Sequence, residues 1–263
     1  MTKQRTLPTR GFGAEPGMPD IPMLAAWVAE HRGKSGDLIS FRLDQSLTPQ
    51  ISAGITMPCS GGKFYQDRIM ACLDGIQDNQ AVDEISIRTS AIIEDAVSIV
   101  AQKKGVWCAL PAPHTLGIRD SYYDDEDEWT DAITGVYRNL MRSMRDAGIN
   151  GHVLICDKVD DAEISSLARQ KVFFFQPEPD RDGLQSLMEY QRQVAISPAQ
   201  LDIVFDIANE YELHEIIILD TDKASIAVAL SHLDPDQVVV GGYCRGDCEK
   251  YWRSIVEYAV YTA

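Results

Sequence analysis

The chain never approaches the roughly 18 consecutive apolar residues that a membrane-spanning helix needs, although 45% of its 263 residues are hydrophobic. A soluble protein with no membrane partner is therefore expected. Positive charge is also short, with 24 Lys and Arg against 40 Asp and Glu and a formal charge of −16. Such a surface repels polyanions unless basic residues gather on one face, and no such patch is visible in the sequence. Nucleic acid and anionic membranes are thus excluded as expected partners, which leaves a small molecule. Residues 1–20 lack the apolar centre of a secretory signal and read as an N-terminal arm. Low-complexity tracts and long linkers are missing as well, so residues 21–263 are expected to form one α/β domain. The six cysteines (Cys59, Cys72, Cys108, Cys156, Cys244, Cys248) are scattered. Cys108 and Cys156 fall inside apolar runs, as small hydrophobes do, which fits a reduced, cytoplasmic protein.

What is present is organised around residues 105–159. An apolar run, Val106 to Leu110, leads into a polar loop with His114, Arg119 and Asp120, then a long amphipathic helix, then a second apolar run ending on Asp157. Strand, loop, helix and strand form the unit of a parallel α/β protein. Trp129, Ile133, Val136, Leu140 and Met144 recur at helical spacing and predict one buried stripe, stopped at Gly148.

Asp20-Ile-Pro opens a first helix that is expected to end near Gly33. Strands are expected at 38–43, 51–57, 84–87, 106–110, 152–156, 172–175, 216–219 and 238–241. Helices are expected at 63–76, 91–102, 125–147, 161–168, 184–193, 198–211, 223–230 and 248–261. Seven or eight nearly continuous apolar strands alternating with helices imply a parallel sheet covered on both faces. A (β/α)8-like TIM barrel, regular or irregular, is favoured over an open doubly wound sheet because polar residues follow nearly every strand. Arg42, Arg88, His114, Arg119, Asp157, Glu178, Asp220 and Cys244 would then ring one mouth.

Pro113-His-Thr-Leu, Tyr122-Tyr-Asp-Asp, Glu128, Tyr137, the Ala147-Gly148 stop and the strand ending in Asp157 together resemble the cobalamin-independent methionine synthase and uroporphyrinogen decarboxylase superfamily. The resemblance implies a barrel. It also implies substrate contact for Asp157, which stands where the family carries Asp-Glu-Pro and this chain carries Asp157-Lys158-Val159. Methyl-transferring members hold zinc through a His-x-Cys pair, a Glu and a late Cys. No His-x-Cys occurs here, and Glu178 and Cys244 are the only candidate ligands that the resemblance carries over.

Ser60-Gly61-Gly62-Lys63 resembles the loop of the adenylating ATP pyrophosphatases and is a candidate phosphate or carboxylate cradle at a helix start; a plain tight turn is the competing reading. The acidic run 124–128 suits a helix N-terminus better than a metal. His152, His214 and His232 read as structural, whereas His114, in a Pro-flanked loop, is the candidate for substrate contact or proton transfer. Two functions follow. One is a barrel enzyme acting on a small acidic metabolite or a thiol, methyl transfer included, with His114 and Asp157 as catalytic groups and Arg42, Arg88 or Arg119 as carboxylate anchors. The other is a barrel without chemistry that binds a ligand or partner, or a phosphate through Ser60 to Lys63.

Overall fold

The computed structural model describes residues 4–31, 36–169 and 171–262. Short apolar strands recur between helices and form two parallel four-stranded sheets. The strands are β1 (Thr9–Glu15), β2 (Cys59–Gly61), β3 (Trp107–Pro111), β4 (Gly151–Ile155), β5 (Val172–Phe175), β6 (Gln193–Ile196), β7 (Glu215–Leu219) and β8 (Val238–Arg245). Their hydrogen-bonded orders are β6-β7-β8-β1 and β2-β3-β4-β5. The first and last strands are therefore neighbours, with Val240 opposite Thr9 and Gly241 opposite Arg10. Outside the strands, Gln4–Thr6 pairs antiparallel with Val260–Thr262.

Two seams separate the sheets, and a glutamine side chain stitches each. Between β1 and β2 the ladder is reduced to a parallel bridge from Arg10 to Met57. The Gln50 amide fills the gap beyond it, accepting from Cys59 N at 2.9 Å and donating to Cys59 O at 2.6 Å. Glycine at position 11 leaves room for that side chain, since a Cβ there would lie 2.1 Å from Gln50 Oε1. Between β5 and β6 no ladder forms among the described residues, and the Gln191 amide accepts from Phe174 N at 3.0 Å and donates to Phe174 O at 3.1 Å. A primary amide carries both donors and an acceptor, as a passing strand does, so Cys59 and Phe174 keep main-chain partners where the ladder is interrupted.

Among the described residues ten helices surround the strands: α1 (Ile21–Glu30), α2 (Leu38–Ala53), α3 (Gln66–Cys72), α4 (Ser90–Gln102), α5 (Glu126–Asp146), α6 (Asp161–Leu167), α7 (Arg181–Tyr190), α8 (Leu201–Ile207), α9 (Lys223–His232) and α10 (Cys248–Tyr258). Asp125 caps α5 by accepting from Asp127 N and Glu128 N, so the acidic run is a helix start. Two apolar clusters result. The larger joins helices to strands, and the smaller draws Phe12, Cys59, Ala109, Val153, Phe173, Ala195, Ile217 and Val239 from all eight strands.

The five expected strands from residue 106 onward match, and 84–87 is a strand too, though outside the two parallel sheets, whereas 38–43 and 51–57 are not strands. Residues 38–43 alternate Ile39, Phe41, Leu43 as a strand would, but they open α2, whose buried set continues with Ser46, Leu47 and Gln50 at helical spacing. The stretch 51–57 holds the end of α2 and the loop to Met57. Residues 84–87 belong to an antiparallel hairpin, Leu73–Gln77 with Gln80–Ile87, so the helix expected at 63–76 stops at Cys72. The expected N-terminal arm contains β1, with six of its seven residues buried. Its sequence, Thr-Arg-Gly-Phe-Gly-Ala-Glu, holds one large hydrophobe and so carries little strand signal. The end expected near Gly33 lies outside the described residues. His152 is fully buried, and neither ring nitrogen has a partner among the described residues. Burial first, and then the Arg145 charge, push it down to about 3, which keeps the ring neutral.

Candidate functional site

Parallel strands send their carboxyl ends to one side, where polar groups stand at the strand ends or in the loops that follow. Glu15 ends β1, Lys63 follows β2, His114 follows β3, Asp157 follows β4, Gln176 follows β5, Asp220 follows β7, and Tyr243 lies near the end of β8. Two hydrogen-bonded groups organise them.

The first centres on His114. A one-turn 3-10 helix at Pro113–Leu116 holds the residue. Its Nδ1 lies 2.8 Å from Glu163 Oε2, and its Nε2 lies 2.8 Å from Asp157 Oδ1. Glu163 Oε1 also accepts from His114 N at 2.6 Å, so one carboxylate fixes both backbone and ring. The environments of the two acids differ sharply: the Glu163 side chain is 7% exposed and that of Asp157 68%. Burial opposes the imidazolium, but hydrogen bonds and charge from Glu163, and then from Asp157, outweigh it and raise His114 above its usual value. Slight burial is similarly outweighed at Asp157, which His114 holds below the ordinary carboxylate range. With both ring nitrogens facing carboxylates, the protonated form is favoured, and Nε2–H is the proton nearest solvent. Gln176 donates to Asp157 O at 3.2 Å, leaving its Oε1 without a partner among the described residues.

The second centres on Glu15. Oε1 accepts from Lys63 N and from Tyr243 OH, both at 2.5 Å, while Oε2 lies 3.5 Å from Arg42. The Arg42 guanidinium stacks 4.2 Å from the Phe64 ring, and its Nε has no partner among the described residues. Tyr251 OH accepts from Tyr243 N at 2.8 Å and donates to Asp220, which adopts a left-handed φ of 47°. Burial, then the charge of Glu15, raises Tyr243; burial, then the charge of Asp220, raises Tyr251, so both stay neutral hydroxyls. Lys63 follows β2 with its backbone N bonded to Glu15, and its side chain forms no ion pair among the described residues.

Several expected site residues have other employment. The amides of the Ser60 to Lys63 loop are already taken: Gly61 N donates to Ser46 Oγ at 2.9 Å, Gly62 N to Ala109 O at 3.1 Å, and Lys63 N to Glu15. Ser60 is buried against Ser46 and Leu43. The loop does hold a carboxylate, but it is the chain's own. Glycine 62 is explained by crowding, since a Cβ would sit 2.2 Å from Ala14 O. Arg88 pairs with Asp74 on the hairpin at 3.1 Å, and Arg119 N donates to Asn79 O; neither meets His114 or Asp157. Glu15 and Glu163 escaped sequence reasoning. The first ends a segment read as an arm. The second is the third residue of a helix capped by Asp160, where an acid reads as a capping device.

No family model matches the chain, and no curated protein matches it. Solved structures do. A protein assigned as a vitamin-B12-independent methionine synthase from Listeria monocytogenes aligns over 95% of each chain at 13% identity with a TM-score of 0.68. The B12-independent methionine synthase of Shewanella sp. W3-18-1, solved with selenomethionine, aligns over 97% of this chain and 95% of its own, at 14% identity and a TM-score of 0.64. The chain shares the fold of methionine synthase-like proteins. At such identities the likeness is one of fold, and the zinc site implied by the resemblance does not fit the residues here. Cys244 is disulfide-bonded to Cys248, Glu178 is exposed on its loop, and no group of three or more His, Cys, Asp or Glu among the described residues could hold a metal ion. A sulfur in a disulfide is not a thiolate ligand.

Proposed function

We propose that the protein is a barrel enzyme that takes a small acidic metabolite or a thiol at the carboxyl ends of its strands and transfers a proton through His114. Closure of the strands into a barrel is supported by the β1–β8 pairing and by an inner cluster fed by every strand. The observation that carries the function is the Glu163–His114–Asp157 array. Glu163, buried and bonded twice, orients the ring. Asp157, exposed, is the partner that an incoming oxygen or sulfur can displace from Nε2, leaving the imidazolium aimed at the ligand as a general acid and, after transfer, as a base. Lys63 and Arg42 add positive charge at the same mouth, and the unpartnered Arg42 Nε and Gln176 Oε1 are a donor and an acceptor ready for a polar ligand. Methyl transfer through zinc has no ligand set to support it, and no step is assigned to a metal.

A second reading, a barrel that binds without chemistry, draws support from how completely the Ser60 to Lys63 amides and the His114 ring are satisfied internally. Titrating the chain with small di- and tricarboxylates and with small thiols, by calorimetry and activity assay, separates the two. Under the enzymatic reading, His114→Gln retains binding within about threefold but loses turnover by at least a hundredfold, the range expected for removing a general acid or base. Unchanged turnover in His114→Gln refutes proton transfer by that ring, and ligands that bind without reacting favour the binding barrel.

A further inference from the structure

The face opposite the mouth has a second concave region. A cavity of about 670 Å³ opens where β5 and β6 part, lined by the rings of Trp107 and Phe173 and by Arg169, Lys171, Arg192 and His214. Basic residues gather here although the chain as a whole carries −16. Glu212 offsets part of that charge, lying 2.7 Å from Arg192 and 3.4 Å from His214. Lys171 reaches only Asn150 Oδ1 at 3.5 Å, and Arg169 donates to Ala168 O at 2.8 Å. Neither meets an acid among the described residues.

A second observation lies directly behind the cavity wall. Arg10 is 3% exposed, with its guanidinium 4.5 Å from the Phe173 ring and 4.7 Å from the Trp107 ring. One terminal nitrogen donates to Gln193 Oε1 at 2.9 Å, and the other has no partner among the described residues. Gln193 in turn donates to Glu215 at 2.5 Å. Phe173, Trp107 and Gln193 all line the cavity, and each also contacts the buried guanidinium. A buried, incompletely paired guanidinium is costly, and an oxyanion removes that cost with paired hydrogen bonds. The missing ladder between β5 and β6 provides the approach.

We propose that this cavity binds a small oxyanion-bearing molecule, a phosphate or a cluster of carboxylates, held by Arg169, Lys171 and Arg192 with His214, and completed by Arg10 once Gln193 turns aside. The aromatic walls would pack against an apolar ring or chain attached to the anion. The site is independent of the reaction proposed at the mouth.

Calorimetric titration of the full chain at low ionic strength with inorganic pyrophosphate, and separately with citrate, tests this. At least one probe is expected to bind, and the affinity is expected to fall tenfold or more in Lys171→Ala/Arg192→Ala, residues remote from the mouth. Binding of pyrophosphate alone assigns a phosphate, and binding of citrate alone assigns carboxylates. The His214 ring-proton resonances of the unaltered chain should also shift at saturation, a readout that needs no variant. The proposal is overturned if neither probe binds at millimolar concentration, if the double variant binds as well as the parent, or if His214 does not respond.

Discussion

His114 gains both of its carboxylate partners only in the folded chain, and this makes its protonation a stability term. Its folded value is raised above 6.5, so the stabilisation is fully present below 6.5 and disappears as pH rises through the folded value. The stability difference between the parent and His114→Gln should therefore shrink with rising pH across that window, measured by urea denaturation. A difference that grows with pH would contradict the raised value. Glu163→Gln removes the buried charge and is expected to cost about 1–3 kcal/mol, in the range for hydrogen bonds to charged groups. It should also bring the His114 titration down. Crowding at Gly62 gives a second residue-scale test. Gly62→Ala would press a Cβ to 2.2 Å from Ala14 O, and overpacking of that kind costs about 1–3 kcal/mol. Parent-like stability would show that the two strand ends can move apart.

At the scale of elements, the two glutamine stitches take the place of strand pairing. Replacing Gln50 by Leu leaves Cys59 N and O unpaired in a buried place, and replacing Gln191 by Ala does the same at Phe174; each is expected to lower stability by about 1–3 kcal/mol. Hydrogen exchange at the Phe174 amide should accelerate in Gln191→Ala, whereas unchanged protection would mean that another group satisfies that edge. These seams also mark where the sequence was hard to read. From Val106 onward each expected strand is an apolar run between helix signals, and the expected elements match those observed, except β6, which falls on the expected end of a helix and a loop, and Val260–Thr262, a strand where the last helix is expected to finish. Before Val106, β1 is built from small residues around Phe12, and β2 is three residues long, so neither stands out. Two of the three members of the His114 array were legible, because Asp157 follows an apolar strand and His114 sits in a proline-flanked loop. Glu163 was not, because a carboxylate early in a helix has a local explanation that conceals its long-range contact. The Cys244–Cys248 bond was likewise hidden, since Cys244 stood as a candidate zinc ligand after the last strand and Cys248 as a helix start.

For the whole molecule, the net charge of −16 makes self-repulsion a general destabilising term. Raising sodium chloride from about 0.1 M to about 1 M shortens the screening length from about 10 Å to about 3 Å. The melting temperature is therefore expected to rise, and a fall would mean that attractive pairs outweigh the repulsion. Among the described residues the side chains of Lys63 at the mouth and of Lys171 and Arg169 at the opposite face form no ion pair. The central claim is that the carboxyl ends of the strands form a ligand site in which Glu163 and Asp157 hold His114 protonated until a ligand displaces Asp157. The most direct measurement is an NMR titration of the His114 ring from pH 5 to 9, without and with a saturating small carboxylate or thiol identified by calorimetry. The account predicts a free-state value above 6.5, lowered in both Asp157→Asn and Glu163→Gln, and a His114 resonance that moves when ligand binds. A His114 that titrates at or below 6.5 and keeps its resonances unchanged on ligand binding would contradict it.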